Sequence, residues 1–301
     1  MDATRHLVVV ADDFGIGLQT SRGILDLGAR GLVTGTVLLV NSEYAPASVA
    51  TWRRSGEPLE LGWHPNLTLD KPVSAPASVA SLVDYDGRFW PLGRFLRRLS
   101  RGLIRETDIR TELRAQYLRF IELVGQPPAL VNSHQHVALF SPVGSILIEL
   151  LKETGQTAYV RAVREPWRLL HSVGGARAKR GFLSMVGRRS ARRFENAGFG
   201  AADWLAGLSN PEHAIRPNYF VRWLTHMPGQ AVELMCHPGH LDPTLGGRDG
   251  TTPGGSQPWR VEEYRRLTDP HFAEACAHAG FRRVRPSECL ARSRRELIHA
   301  A

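Results

Sequence analysis

Short apolar runs alternate along this chain with longer segments of helical periodicity. The apolar runs cover residues 7–11, 34–40, 59–63, 129–132, 157–163 and 231–236. Runs of this length, rich in β-branched residues and bounded by turn residues, are typical of buried strands. Because helical segments lie between them, we predict a parallel sheet with βα connections.

The clearest helical pattern lies at residues 108–124. Its apolar face consists of Ile109, Leu113, Tyr117, Phe120, Ile121 and Val124. Thr107 stands where it can cap the start, and Gly125 followed by two prolines predicts the end. An Asp86–Gly87 turn predicts a hairpin within residues 82–92. Further helices are predicted at residues 21–29, 143–154, 271–279 and 286–299.

Polar side chains recur at one place in this pattern, directly after the apolar run at the carboxyl end of a strand. The residues at these positions are Asp12, Asp13, Asn41, His64, His134 and His237. In a β/α barrel the carboxyl ends converge on one face, where active sites are built. Open doubly wound sheets also bind ligands there, but the chain contains no Gly-x-Gly-x-x-Gly or Walker-type loop. We therefore predict an α/β fold, a distorted TIM-like β/α barrel that forms a single domain over residues 1–301.

Length and composition narrow the class of protein. The chain has 301 residues, of which 43% are hydrophobic and 22% charged, so wholesale disorder is excluded. Its three cysteines, Cys236, Cys276 and Cys289, are far apart, which argues against a disulfide framework or a structural zinc knuckle. No run approaches the roughly 18 apolar residues of a membrane span, and the start lacks the pattern of a signal peptide. We expect a cytoplasmic protein.

The positive charge is concentrated in one segment. The chain carries 38 Lys plus Arg against 29 Asp plus Glu, a net charge of +9. Residues 161–193 hold ten basic side chains and one acid, Glu165, which leaves 28 of each sign elsewhere. Because large apolar residues lie among these cations, we expect a basic insertion at about residues 165–228, either an interfacial segment on anionic lipid or a solvated loop. Aromatic platforms and nucleic-acid-binding modules are lacking, so no nucleic-acid partner is expected.

Two of the strand-end motifs offer metal ligands. Side chains alternate along an extended chain, so Asp12 and Asp13 cannot share one role: one can face a metal while the other acts as a base. A turn or a helix cap is the alternative for this pair. His134 and His136 would point to the same face of an extended segment, where one or both could bind a metal. A polar loop is the alternative here.

The remaining strand-end histidines have two interpretations each. His64 suits a metal ligand or a structural histidine, and His237 suits a general acid or base or a turn histidine held by the following Pro238 and Gly239. Asp and His together suit a mononuclear site with an open position, at which Zn²⁺ generates a nucleophilic water near neutral pH. Other divalent ions fit as well, because the ligand set mixes oxygen and nitrogen.

Four sequence motifs, in a fixed order, add a resemblance to a known family. They are Ala11-Asp12-Asp13-Phe14-Gly15, Gly62-x-His64-x-x-Leu67-Thr68, Asn132-Ser133-His134-Gln135-His136-Val137 and Glu233-Leu234-Met235-Cys236-His237-Pro238. Together they resemble the YdjC-like carbohydrate deacetylase family, which includes chitooligosaccharide deacetylases and a hopanoid-associated branch. The resemblance covers residues 5–155 and 230–290.

This resemblance implies a distorted, seven-stranded β/α barrel and metal-dependent removal of an acetyl group from an N-acetylated sugar, oligosaccharide or glycolipid. It implies one divalent ion, Zn or Mg, held by Asp13, His64 and His134. Asp12 would be the base that activates water, and His237 the acid that protonates the leaving amine. A non-catalytic sugar- or glycolipid-binding protein on the same barrel is the alternative.

The expected partner is an N-acetylated carbohydrate, lipid-linked or anionic, for which the candidate contacts are Asn41, Asn66 and His136. Peripheral contact with the inner membrane face through residues 161–193, and a homodimer, are further expectations. Three departures from the family pattern change the surroundings of the site: Val10 replaces Asn, Asn132 replaces Asp, and Ala138 replaces His. Chitooligosaccharide specificity is therefore not carried over.

Overall fold

The computed structural model describes residues 4–155, 157–249, 251 and 257–291. Its strands are β1 (Arg5–Phe14), β2 (Gly35–Leu38), β3 (Glu60–Trp63), β4 (Leu130–Val131), β5 (Tyr159–Val160), β6 (Trp204–Ala206), β7 (Ala231–Cys236) and β8 (Phe281–Arg283). Its α-helices are α1 (Leu18–Ala29), α2 (Ala45–Arg54), α3 (Leu92–Ser100), α4 (Glu106–Val124), α5 (Val143–Glu153), α6 (Leu169–Ser172), α7 (Arg177–Asn196), α8 (Tyr219–His226), α9 (Pro258–Thr268) and α10 (Pro270–His278). Residues 286–291 are also helical, and the rest of the helix predicted at 286–299 lies outside the described residues.

The strands form one curled parallel sheet. Seven of them follow the order β5-β4-β3-β2-β1-β7-β6, and β8 pairs with the start of β1. The two ends of this order approach each other, because the Val160 amide donates to the Gly200 carbonyl and the Leu205 amide donates to the Arg164 carbonyl, both at 2.9 Å. The predicted α/β fold with a distorted, seven-stranded barrel is confirmed.

Alternation along the strands separates two apolar layers. In β1, Val8 and Val10 belong to a cluster inside the barrel, whereas Leu7, Val9 and Ala11 pack in the layer between the sheet and the helices. Side chains of a strand alternate between its faces, and both faces are buried here, as expected of a parallel sheet covered by helices.

Two local predictions differ from the structure. Helix α4 begins at Glu106, so Thr107 lies inside its first turn, and no side chain caps the helix at Arg105. The cap prediction was wrong because the helix starts two residues earlier than the apolar pattern indicates. The hairpin expected within residues 82–92 is reduced to a single antiparallel bridge between Val83 and Phe89.

The basic region is mostly ordered secondary structure. The expected insertion at 165–228 contains α6, α7 and α8, and also β6, which pairs with β7 in the sheet. Arg180 anchors α7 from inside: it is fully buried, bonds Glu165 and lies over the Trp223 ring at 4.6 Å. Of the ten basic side chains in 161–193, five are exposed: Arg168, Arg177, Lys179, Arg189 and Arg192. The segment is therefore less cationic at the surface than its sequence indicates.

Within the described residues, no helix is long and apolar enough to cross a membrane. The single-domain organisation over residues 1–301 stays a prediction.

Candidate metal centre and active site

The end of β1 brings two adjacent carboxylates to one cavity. Because side chains alternate along β1, Asp12 points into the barrel on the same face as Val8 and Val10. Asp13 would then point outward, but its φ is +66° and the pairing of β1 with β2 shifts register between Ala11 and Phe14. This irregularity re-aims the Asp13 side chain, so that both carboxylates line the same cavity.

Asp13 lies between two histidines from neighbouring strand ends. Its Oδ1 is 3.4 Å from His64 Nε2 and 3.1 Å from His134 Nδ1. The ligand atoms of these three residues lie within 4.8 Å of one another, and all three residues are buried. The three strand-end residues predicted as metal ligands are thus brought together.

The chemistry of these donors fits a divalent cation. His64 Nδ1 lies 2.8 Å from the Asn132 carbonyl, to which it can only donate, so in the neutral tautomer the Nε2 lone pair faces Asp13 Oδ1. Two acceptors at that separation repel each other unless a cation lies between them. His134 Nε2 is buried and has no hydrogen-bond partner among the residues that the structure describes. One carboxylate oxygen and two imidazole nitrogens suit Zn²⁺ and, less selectively, other divalent ions.

Local charges keep the Asp13 carboxylate ionised. Burial opposes its charge, but Arg260 and the two histidines hold the pKa of Asp13 well below its usual range. Burial also disfavours the imidazolium of His134, yet the hydrogen bond that its Nδ1 donates to Asp13 Oδ1 raises the pKa of His134 overall. In the absence of a metal, protonated His134 would donate a hydrogen bond to Asp13 and balance its charge. Metal binding would therefore displace the proton of His134.

Arg161 holds Asp12 by both oxygens. Its Nη1 donates to Asp12 Oδ2 at 2.6 Å, its Nη2 donates to Oδ1 at 2.8 Å, and its Nε donates to Glu233 Oε1 at 2.5 Å. The Tyr159 hydroxyl donates to the other Glu233 oxygen at 2.8 Å. Although burial opposes it, the pair with Arg161 lowers the pKa of Asp12, so the carboxylate is ionised and fixed in direction.

His237 directly follows β7 and lies near Asp12. Its Nε2 is 3.9 Å from Asp12 Oδ2, and its backbone amide donates to Glu263 Oε2 at 2.5 Å. Burial lowers the pKa of His237, so the imidazole is neutral near pH 7. An acid role for His237 therefore requires that it first accept a proton.

These groups face a cavity of about 450 Å³. Its lining includes the carboxylates and imidazoles described above. It also includes apolar side chains of α3, α7, α9 and the segments at the strand ends, namely Leu92, Leu96, Phe140, Phe182, Leu183, Leu208, Met235 and Trp259. Lys179 and Asp249 add a charge of each sign. The cavity can thus accept a ligand that carries both polar and apolar groups.

The three predicted substrate contacts occupy different surroundings. Residues 134–139 form a 3-10 turn rather than an extended strand, with His136 at φ +57°, so His136 lines the cavity but is separate from the metal ligands. Asn66 is fully buried and donates to Asn41 Oδ1 at 3.0 Å and to the Leu69 carbonyl at 2.8 Å. Asn41 in turn donates to the Leu69 and Lys71 carbonyls, each at 3.0 Å. The amides of Asn41 and Asn66 therefore brace the loop after β3.

Arg161, Glu233, Asp249 and Arg260 were not identified as site residues from the sequence. Arg161 was assigned to the basic segment, although it lies within the apolar run at 157–163 and directly follows β5. Glu233 stands in the middle of an otherwise apolar strand that is buried throughout. Because an unpaired buried charge is costly, a single acid in such a run is the signal that could have revealed a buried cationic partner.

The chain is similar to known proteins over most of its length. The model of the YdjC-like protein family matches residues 6–278. A chitooligosaccharide deacetylase of Yersinia pestis is 32% identical over 92% of this chain and 96% of its own length. A carbohydrate deacetylase of Mus musculus is 33% identical over 91% of this chain and 92% of its own. A solved structure from Enterococcus faecalis, named as a candidate cellobiose-phosphate cleavage protein, has a TM-score of 0.70 at 22% identity and covers 95% of this chain and 99% of its own length, which shows the shared fold.

Proposed function

Because the chain belongs to the YdjC-like protein family, we propose that it is a hydrolase that removes the acetyl group from an N-acetylated carbohydrate with the help of one divalent ion. The observation that supports this is the convergence of the Asp13, His64 and His134 ligand atoms within 4.8 Å. Asp12 and His237 lie on the wall of the same cavity. A carbohydrate deacetylase activity is also that named for the relatives from Yersinia pestis and mouse.

We assign the ion to Asp13, His64 and His134, and Zn²⁺ or Mg²⁺ would fit this set of donors. When bound, such an ion supplies Lewis acidity to the acetyl carbonyl and lowers the pKa of a water. Asp12 is the base that takes a proton from the attacking water, and Arg161 keeps it ionised and aimed. His237, whose imidazole starts neutral, takes up the proton that Asp12 has removed from the water and donates it to the leaving amine. The C–N bond breaks, and acetate and the free amine result.

The apolar side chains in the cavity lining favour an N-acetylated sugar attached to an apolar group. Phe182 and Leu183 of α7 and Leu96 of α3 line the same cavity as the proposed metal ligands. Lys179, whose Nζ donates to Asn210 Oδ1 at 3.1 Å, adds a cation to this lining. We therefore propose a lipid-linked sugar, or one with an anionic group, as substrate, with His136 as a contact and with Asn41 and Asn66 acting through the loop that they brace.

We further propose that α7 contacts anionic lipid at the inner face of the membrane. Phe182, Met185 and Trp167 are about half exposed, at 50%, 48% and 51%. Phe182 and Met185 belong to α7, and Arg189 and Arg192 are exposed on this helix. Apolar side chains among cations suit interfacial binding. Co-sedimentation with anionic vesicles tests this: binding that falls in Phe182→Ser/Met185→Ser supports it, and equal binding by both proteins contradicts it.

Two experiments test the activity and the quaternary structure. The protein, stripped of metal and reconstituted with Zn²⁺ or Mg²⁺, is screened over free and lipid-linked N-acetyl sugars, with acetate release as the readout. Metal-dependent acetate release supports the enzyme. Sugar binding without acetate release would instead identify the non-catalytic alternative. The homodimer stays a prediction, which light scattering tests.

A further inference from the structure

The two oxygens of Asp13 face different partners. Oδ1 is directed at His64 and His134. Oδ2 accepts a hydrogen bond at 2.6 Å from Nη2 of Arg260, which belongs to α9. One oxygen is thus committed to a buried guanidinium, and the other remains for a metal.

Arg260 itself is held from several directions. Its side chain is buried and lies over the Trp259 ring at 4.6 Å. Its Nε donates to Gln257 Oε1 at 2.5 Å, and its Nη1 donates to the His237 carbonyl at 3.4 Å. A planar guanidinium with this many fixed partners cannot rotate freely, so it fixes the direction of the Asp13 carboxylate.

A lone cation beside a metal centre would repel the metal. Here Arg260 Nη2 also donates to Asp249 Oδ2 at 3.0 Å, and Asp249 Oδ1 lies 3.9 Å from His134 Nε2. Arg260 and Asp249 together carry no net charge. The pair can therefore orient Asp13 without reducing the electrostatic attraction of the site for a cation.

We infer that Arg260 and Asp249 are a charge-neutral pair of positioning residues that holds Asp13 as a one-oxygen metal ligand. This inference rests on the metal site of the proposed function. Partners that hydrogen-bond to metal ligands typically contribute 10–100-fold to metal affinity. The contribution of this pair is expected to come from orientation, since the pair adds no charge.

The test removes both charges of the pair together, so that the net charge of the protein is unchanged. Zn²⁺ binding to the full, metal-stripped chain is measured by calorimetry for wild type and for Arg260→Gln/Asp249→Asn. We expect the Kd to rise by about 10–100-fold. The matched control is Arg180→Gln/Glu165→Gln, which removes another buried, charge-neutral pair whose arginine lies over a tryptophan at 4.6 Å. The control should lower the Tm and leave the Kd unchanged.

A Kd of the double variant within about twofold of wild type would overturn the inference. Circular dichroism of the metal-free proteins verifies folding. If the double variant is unfolded, Arg260→Lys is measured in its place. Because one ammonium cannot replace both Nη2 contacts and the Nε contact, Arg260→Lys should weaken Zn²⁺ binding measurably, and an unchanged Kd contradicts the inference. Wild type that binds Zn²⁺ but releases no acetate from any sugar refutes the proposed function alone, whereas wild type that binds no metal refutes both.

Discussion

Arg161 and Asp12 form a two-point ion pair inside the barrel, 149 residues apart in sequence and both at most 4% exposed at their side chains. Glu233 accepts from the same guanidinium. Two buried carboxylates therefore depend on one cation. The direction and ionisation of the proposed base are properties of this cluster rather than of Asp12 alone.

Replacing Arg161 by Met should impair both stability and activity. Removal of one partner of a buried ion pair typically costs about 3–5 kcal/mol, and here it leaves Asp12 and Glu233 to be protonated. Loss of a general base typically lowers the rate about 10²–10⁴-fold. Thermal unfolding and acetate release measure the two effects. Arg164→Met is the control, because Arg164 pairs with the more exposed Glu195, and similar losses in both variants would contradict a special role for Arg161.

Glu263 should make stability fall as pH rises. Burial raises the pKa of Glu263 from 4.5 to about 7, so the folded state binds a proton that the unfolded state has released between those values. Stability is then lost as the pH rises through this window, by roughly 3 kcal/mol at most. In metal-free protein, the Tm of Glu263→Gln minus that of wild type should increase from pH 5 to pH 7.5. A difference that stays flat would contradict this.

Helix α7 should be a packed part of the barrel rather than a mobile loop. A Cβ at Gly187 would lie 1.6 Å from the Val163 carbonyl oxygen, whereas a Cβ at Gly181 meets only Leu170 Cδ1 at 3.7 Å. Gly187→Ala should therefore destabilise the protein by about 1–3 kcal/mol. Gly181→Ala, in the same helix, should be neutral or stabilising by up to about 1 kcal/mol. Equal denaturation midpoints for the two variants would show that α7 is not docked as described.

The sequence was informative about the strand ends because continuous apolar runs and helical segments can be told apart in it. The apolar runs predicted the strand positions, and the polar residue after each run located Asp12, Asp13, His64 and His134 on one face. The extended geometry expected at His136 was wrong, since Gln135 and His136 both adopt positive φ. Such a tight turn leaves no periodic signal.

What the sequence did not reveal are pairings across the barrel. Arg161 and Glu233 are 72 residues apart, and Arg260 reaches Asp13 from a helix 247 residues later. The charges of Arg161 and Arg260 looked like surface charges because their partners are set by the closure of the sheet and by the packing of α9. The excess of cations at 161–193 is interpreted differently for the same reason, because Arg161 and Arg180 are buried inside the protein.

The most direct test compares Asp12→Asn with wild type after both have been loaded with the same divalent ion. Asn keeps the shape of Asp12 but cannot take a proton, and Asp12 is not among the three proposed metal ligands. The account predicts metal binding within a few-fold of wild type and acetate release reduced by about 10²–10⁴-fold. Equal acetate release by the two proteins, with metal bound in both, would contradict it.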